Sequence, residues 1–271
     1  MPACYHPALP LWALMVALLV SGCTGGPSPR PLTTPAEAGV EGDALWYRGE
    51  IGALPPLRRL FELYESQQPT PTRLRIDSPG GDIHLALTLG EWILEHGLDV
   101  EIEHECGSAC ANYVFTAGRR KWLQADSRVY WHGGAFQESL ETDALQRGPK
   151  VHRELMAWRE RELAFFARAG VDPRITIYGQ RPPWDALYAQ AAYLGYDYSL
   201  DDLARFGLRD IKLLDAETWR PPEHPAILRI TVDADTLATM PLRAMPGSID
   251  AKKPSAATAD EGPTRDGGPD H

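Results

Sequence analysis

The chain has 271 residues, a formal net charge of −10 and a hydrophobic content of 44%. That much apolar material excludes a disordered polymer. The acidic balance, with no stripe of clustered Lys and Arg, excludes a nucleic-acid footprint.

Residues 8–20, ALPLWALMVALLV, form a nearly continuous apolar run. It is too short to cross a bilayer as a helix and suits the central segment of a secretion signal. Residues 1–7 carry His6 but no Lys or Arg, so the positive start usual in such signals is missing. Val20-Ser21-Gly22-Cys23 follows directly. This stretch resembles a bacterial lipobox. The resemblance implies a signal over 1–23, with Cys23 diacylated (palmitate-type chains) as the first mature residue. The alternative is an ordinary secretion signal with a chance cysteine. Thr24 rather than Asp after the cysteine implies, by the same likeness, sorting to the outer membrane on its periplasmic face. Residues 24–42 are rich in Pro, Gly and Thr without periodicity and read as a flexible tether.

A folded domain is expected over 43–222, about 180 residues and enough for one sizeable core. Residues 44–51 read as a strand. Pro55 and Pro56 open a helical stretch in which Leu57, Leu60, Phe61 and Tyr64 keep helical spacing. Residues 73–77 alternate as a strand and run into the turn Ser78-Pro79-Gly80-Gly81-Asp82. Leu85, Leu89, Trp92 and Ile93 form the stripe of an amphipathic helix that stops at Gly97. Val100, Ile102, His104 and Cys106 alternate with three glutamates as a half-exposed strand. Gly107-Ser108 turns into a short apolar helix, ACANYVFTA. Residues 121–123 and 128–131 make two short strands, the second reaching His132.

Beyond His132 the chain reads as helical. Residues 149–169 carry Val151, Leu155, Trp158, Leu163 and Phe166 among many charges, and 184–193 read as a second helix. Ser199 caps a third, with Asp201 and Asp202 in its first turn and Gly207 at its end. Residues 211–214 are a last strand. Residues 226–232 suit an edge strand in an extension over 223–244, and 245–271 read as a disordered tail. Strands alternating with helices predict an α/β fold with parallel strands.

Three short elements bear chemistry. A glycine pair after a strand lets backbone approach a substrate closely, although a plain turn has the same composition. A serine before a buried helix sits beside unpaired N–H groups, although helix-capping serines do so too. His132 ends a strand, where a lone histidine is commonly structural. Ser108 comes 27 residues after Gly81, and His132 comes 24 after Ser108. This order and spacing resemble the Clp-type serine peptidases, on the matches Ser78-Pro79-Gly80-Gly81, Gly107-Ser108-Ala109 and Tyr130-Trp131-His132. The stretch from Ser199 to Asp210 is similar to that family's closing helix, so coverage runs over about 45–215. The nearest likeness is to exported members with a C-x-S-A-C signature, here Cys106 to Cys110.

The resemblance implies a Clp-protease/crotonase-like spiral of β-β-α units with flanking C-terminal helices. It also implies acyl transfer: Ser108 as nucleophile, His132 as base, and the N–H groups of Gly81 and Ala109 as the oxyanion hole. Peptide or protein is the implied substrate, without cofactor, and a homo-oligomer the implied assembly. The family's acid falls on Gly195 here. Asp197 is the first substitute, then Asp201, with Asp185 and Asp172 more remote. Cys106 and Cys110 are open to two readings, a disulfide or two small buried thiols. His84, His96 and His104 show no metal-ligand spacing. A Ser–Lys site would need Lys121 or Lys150, neither in a motif, and a crotonase-type acyl-CoA enzyme would not need the Ser–His pair. The rival reading is an inactive envelope scaffold or binding protein.

Overall fold

The computed structural model describes residues 35–186, 193–214, 217–219, 221 and 226–242. At its centre is a seven-stranded, mainly parallel sheet: β1 (Glu37–Glu41), β2 (Ala44–Arg48), β3 (Arg73–Ser78), β4 (Asp99–Gly107), β5 (Lys121–Leu123), β6 (Arg128–Tyr130) and β8 (Ile211–Leu213). The order is β1-β2-β3-β4-β5-β8, with only β1–β2 antiparallel. The long β4 holds β5 along its first half, at Val100 to Ile102, and β6 along its second, at Glu105 to Gly107. β7 (Gly195–Tyr198) pairs in parallel with β9 (Ile227–Ile230) in a separate small sheet.

Alternation along the central strands divides the sheet into two faces. Leu45, Tyr47, Leu74, Ile76, Val100 and Ile102 point into the core. The core also takes Leu57 and Leu60 of α1 (Leu54–Ser66), Leu87, Leu89 and Ile93 of α2 (Ile83–His96), and Phe165 and Phe166 of α4 (Pro149–Ala169). Asp82 starts α2 by accepting the His84 and Leu85 N–H groups, a cap worth about 1 kcal/mol. Gly97 ends it in the left-handed conformation. The opposite face is a lattice of ion pairs. Arg48 grips Glu103 at 2.7 Å, Arg75 reaches Glu103 and Glu101, and Arg73 reaches Glu101. The expected half-exposed strand is therefore covered: Glu101 is 6% and Glu103 2% exposed. Burial works to raise the Glu103 carboxyl, but the Arg48 hydrogen bonds and the Arg48 and Arg75 charges bring it below its ordinary range.

Several expectations move. β1 lies inside the stretch expected to be a tether, 24–42. The edge strand expected over 226–232 appears as β9, and past it Val232, Leu237 and Met240 are buried in the same core. The folded part thus runs beyond 43–222 at both ends. The sequence did not announce α3 (Glu138–Arg147), β7 or α6 (Ala234–Thr239). Most of the helix expected over 184–193 lies outside the described residues, as do the signal with Cys23 and the tail over 245–271. Among the described residues no helix is long and apolar enough to cross a membrane.

Candidate active site

β3 leads into the glycine turn. Ser78 Oγ accepts the Gly80 N–H at 3.1 Å. Ile51 N–H donates to Gly80 O and Asp82 N–H to Ile51 O, each at 2.7 Å, which ties the turn to the loop after β2. These bonds pass over Gly81, whose own N–H has no partner among the described residues. Gly80 has φ +101°, and a Cβ there would lie 2.5 Å from Gly107 O, 2.8 Å from Ser108 Cβ and 3.0 Å from Ala109 N. The glycine turn and the serine turn are therefore in contact, and glycine is what permits it.

Ser108 stands between β4 and the π-helix Cys110–Phe115, with φ +55°. The left-handed region costs a non-glycine residue of order 1–3 kcal/mol and marks sites where the surroundings dictate the backbone. Those surroundings are explicit. Ser108 N–H donates to Tyr130 O, and Ser108 O accepts Asn112 N–H, each at 2.9 Å. A Cys106–Cys110 disulfide with Cα atoms 5.3 Å apart closes the loop around the serine. Of the two readings left open for these cysteines, the structure has the bridge. Closing a five-residue loop restrains the unfolded chain by about 2 kcal/mol. The Cys106→Ser/Cys110→Ser double variant is accordingly expected to lose about that much stability in urea unfolding. An unchanged midpoint would mean the bridge contributes nothing to the turn's stability.

His132 follows β6. Trp131 exchanges both main-chain hydrogen bonds with Tyr196 of β7, at 2.8 and 2.7 Å. The imidazole then meets the serine, His132 Nε2 to Ser108 Oγ, at 2.5 Å. The side chain has an open edge, yet the protein around the ring pushes its pKa below the ordinary 6.5. Ala109 starts the π-helix, and its N–H, like that of Gly81, has no partner among the described residues. The structure thus brings together Ser108, His132 and the glycine turn with the amide of Ala109.

Asp197 departs from expectation. Its two oxygens accept Arg229 Nε at 2.5 Å and Arg229 Nη2 at 2.8 Å across β7 and β9, so it does not orient His132. Asp202 accepts the Val232 N–H, Asp172 caps the turn Pro173–Thr176, and Asp201 is an exposed first-turn residue of α5 (Leu200–Arg205). Among the described residues no carboxylate is hydrogen bonded to the His132 ring. The Trp131–Tyr196 register sets Gly195 opposite His132. A Cβ at Gly195 would lie 2.5 Å from Trp131 O, so the main chains approach too closely there for an acidic residue.

Lys121 is buried in β5, its pKa brought down to about 8 by burial. It pairs with Val100, and at about 3.3 Å per residue this puts it roughly 25 Å along β4 from Ser108. Lys150 faces Glu154 on the exposed side of α4. Asp77, Glu103 and His104 bring ligand atoms within 4.8 Å of one another. Glu103 in that trio already neutralises Arg48 and Arg75, which would oppose a cation.

Sequence reasoning missed the residues that hold the histidine turn: Asn112, Arg159, Glu162 and Gln180. A signal existed for two of them. Leu155, Arg159, Glu162 and Phe166 share one helical face, and all four are buried, so two charges interrupt an apolar stripe. Comparison of the chain with protein-family models and with curated proteins finds no match.

Proposed function

We propose that this chain is an exported serine hydrolase of peptidase type, attached to the bacterial envelope through lipid on Cys23. The carrying observation is the 2.5 Å contact between His132 Nε2 and Ser108 Oγ at a left-handed serine turn. His132, with its pKa held down by burial, accepts the Ser108 proton as Oγ attacks a carbonyl. The free N–H groups of Gly81 and Ala109 stabilise the oxyanion, each worth about 3 kcal/mol in comparable sites. The imidazolium protonates the leaving amine, and water repeats the sequence on the acyl-enzyme. The chain order of β3, glycine turn, α2, β4, serine, buried helix, β6 and histidine supports a Clp-protease/crotonase-like spiral. That likeness extends to peptide or protein substrates, to activity without a cofactor and to a homo-oligomer. A disulfide beside the nucleophile is in keeping with an oxidising compartment, hence with export to the periplasmic side of the outer membrane.

A second reading, an inactive envelope scaffold on the same fold, is favoured by Gly195 where the family has its acid. Fluorophosphonate labelling of the full mature protein separates the two. The hydrolase forms a covalent adduct on Ser108, seen by mass spectrometry. Absence of an adduct on the folded protein leaves the scaffold. The anchor is tested in cells, where Cys23→Ala is expected to move the protein from the membrane pellet to the soluble periplasmic fraction. Unchanged fractionation would remove the lipid from the proposal.

A further inference from the structure

The His132 turn is held in an unusual way. Where a Ser–His pair ordinarily has an acid on the second ring nitrogen, here the main chain is fixed at successive points. Gln180 Nε2 donates to His132 O at 2.7 Å, and Asn112 Nδ2 to Gly133 O at 2.8 Å. Ala135 N–H donates to Glu162 at 3.1 Å, and Arg159 Nε to Ala135 O at 2.9 Å. Four side chains from three separate elements grip three of the four residues 132–135.

Glu162 is the centre of this grip. It is fully buried on α4. Besides Ala135 N–H it accepts the Tyr113 hydroxyl at 2.5 Å, and Trp158 Nε1 donates to Tyr113 Oη at 3.1 Å. A buried carboxylate without such donors would cost several kcal/mol. The groups of charge or proton that face it are Tyr113 from the π-helix, Arg159 from its own helix, and Glu141 of α3, which reaches Arg159 at 3.3 Å.

We propose that Glu162 is a positioning residue: through the Ala135 amide it locks the 132–135 turn and so presents the His132 imidazole to Ser108, in place of an acid on the ring. The proposal rests on the Ser108–His132 hydrolase reading. Burial raises the Glu162 pKa to about 7, against the Tyr113 and Ala135 hydrogen bonds and the Arg159 charge. The consequences for stability and for turnover therefore oppose each other. A carboxyl whose pKa is raised by folding stabilises the fold fully below its ordinary 4.5, and that stability is lost as pH rises through about 7. The two donors converge on Glu162 Oε2, and the ionised form, which destabilises, accepts them more strongly and so fixes the turn more firmly. Function here is favoured by the less stable protonation state.

The test compares wild type, Glu162→Gln and Tyr113→Phe as full mature chains. Fluorophosphonate labelling rates and melting temperatures are measured from pH 5.5 to 9, together with the His132 ring resonance in histidine-labelled protein. Glu162→Gln is expected to label at least tenfold more slowly at pH 8, to lose the wild-type rise near pH 7, and to melt no lower than wild type at pH 8. Tyr113→Phe removes one donor to the carboxylate and is expected to move that rise to higher pH, which tests the proposal even if Glu162→Gln fails to fold. In wild type the His132 resonance is expected to shift a second time as Glu162 titrates. A Glu162→Gln profile identical to wild type overturns the proposal. A rate loss matched by a lower melting temperature at every pH also overturns it, because that is the behaviour of a purely structural residue. If wild type does not label but its His132 resonance still senses the second proton, the hydrolase reading fails and the linkage between Glu162 and His132 stands. If wild type labels and the resonance senses a single proton, only the positioning role is lost.

Discussion

Replacing His132 with alanine is expected to slow fluorophosphonate labelling of Ser108 by about 10²–10⁴-fold. An alcohol is a weak nucleophile at neutral pH and needs a base within hydrogen-bonding reach. The only ring nitrogen or carboxylate hydrogen bonded to Ser108 Oγ among the described residues is His132 Nε2, at 2.5 Å. Protein packed around the ring pushes its pKa below 6.5, so at pH 7 the imidazole is neutral and can take the proton. Because the unprotonated ring is the active form, the labelling rate of Glu162→Gln, which lacks the rise near pH 7, should climb with pH through a midpoint below 6.5. Labelling of the alanine variant at the wild-type rate would remove His132 from the chemistry. A midpoint above the ordinary histidine value would contradict the desolvated environment.

Substituting Gly80 with alanine is expected to cost 10²–10³-fold in the same labelling rate, with the fold retained. Two physical effects combine at this position. A φ of +101° is poorly accessible to an L side chain, and the new methyl would meet Gly107 O, Ser108 Cβ and Ala109 N at 2.5, 2.8 and 3.0 Å. Two of these three atoms belong to the main chain of the serine turn, which the disulfide and the Tyr130 hydrogen bond hold in place. The glycine turn must therefore retreat, taking the adjacent Gly81 N–H out of register with that of Ala109. A substrate-sized oxyanion would then have one donor rather than two. Labelling within a factor of two of wild type would show that Gly81 contributes no donor. An insoluble Gly80→Ala protein would instead assign Gly80 a role in folding, distinguishable by circular dichroism before labelling.

The parts of the fold that were legible share one property: a period set by burial on one face. α2, α4 and the strands β2 to β4 have such a period and emerge close to their observed bounds. β7 does not, because Gly195, Tyr196, Asp197 and Tyr198 are all buried and show no alternation. α3 fails for the converse reason: Ala144 is its one fully buried residue, so no stripe marks it. At the site, Ser108 and His132 were found through motif resemblance, which carries information that periodicity lacks. The fate of Asp197 was out of reach, since its partner Arg229 lies 32 residues away in a strand that pairs only in the folded chain. Glu162 and Arg159 stood in plain view as charges in an apolar stripe, but their partner is the main chain of Ala135, which no pattern reports.

The small β7–β9 sheet bears on the timing of activity. Trp131 hangs from Tyr196, Tyr196 lies in β7, and β7 is completed by β9 at 227–230. The backing of the imidazole is thus supplied by residues that are synthesised well after both Ser108 and His132. Under the proposed hydrolase reading, a chain whose β9 has yet to be made holds Ser108 without a seated base.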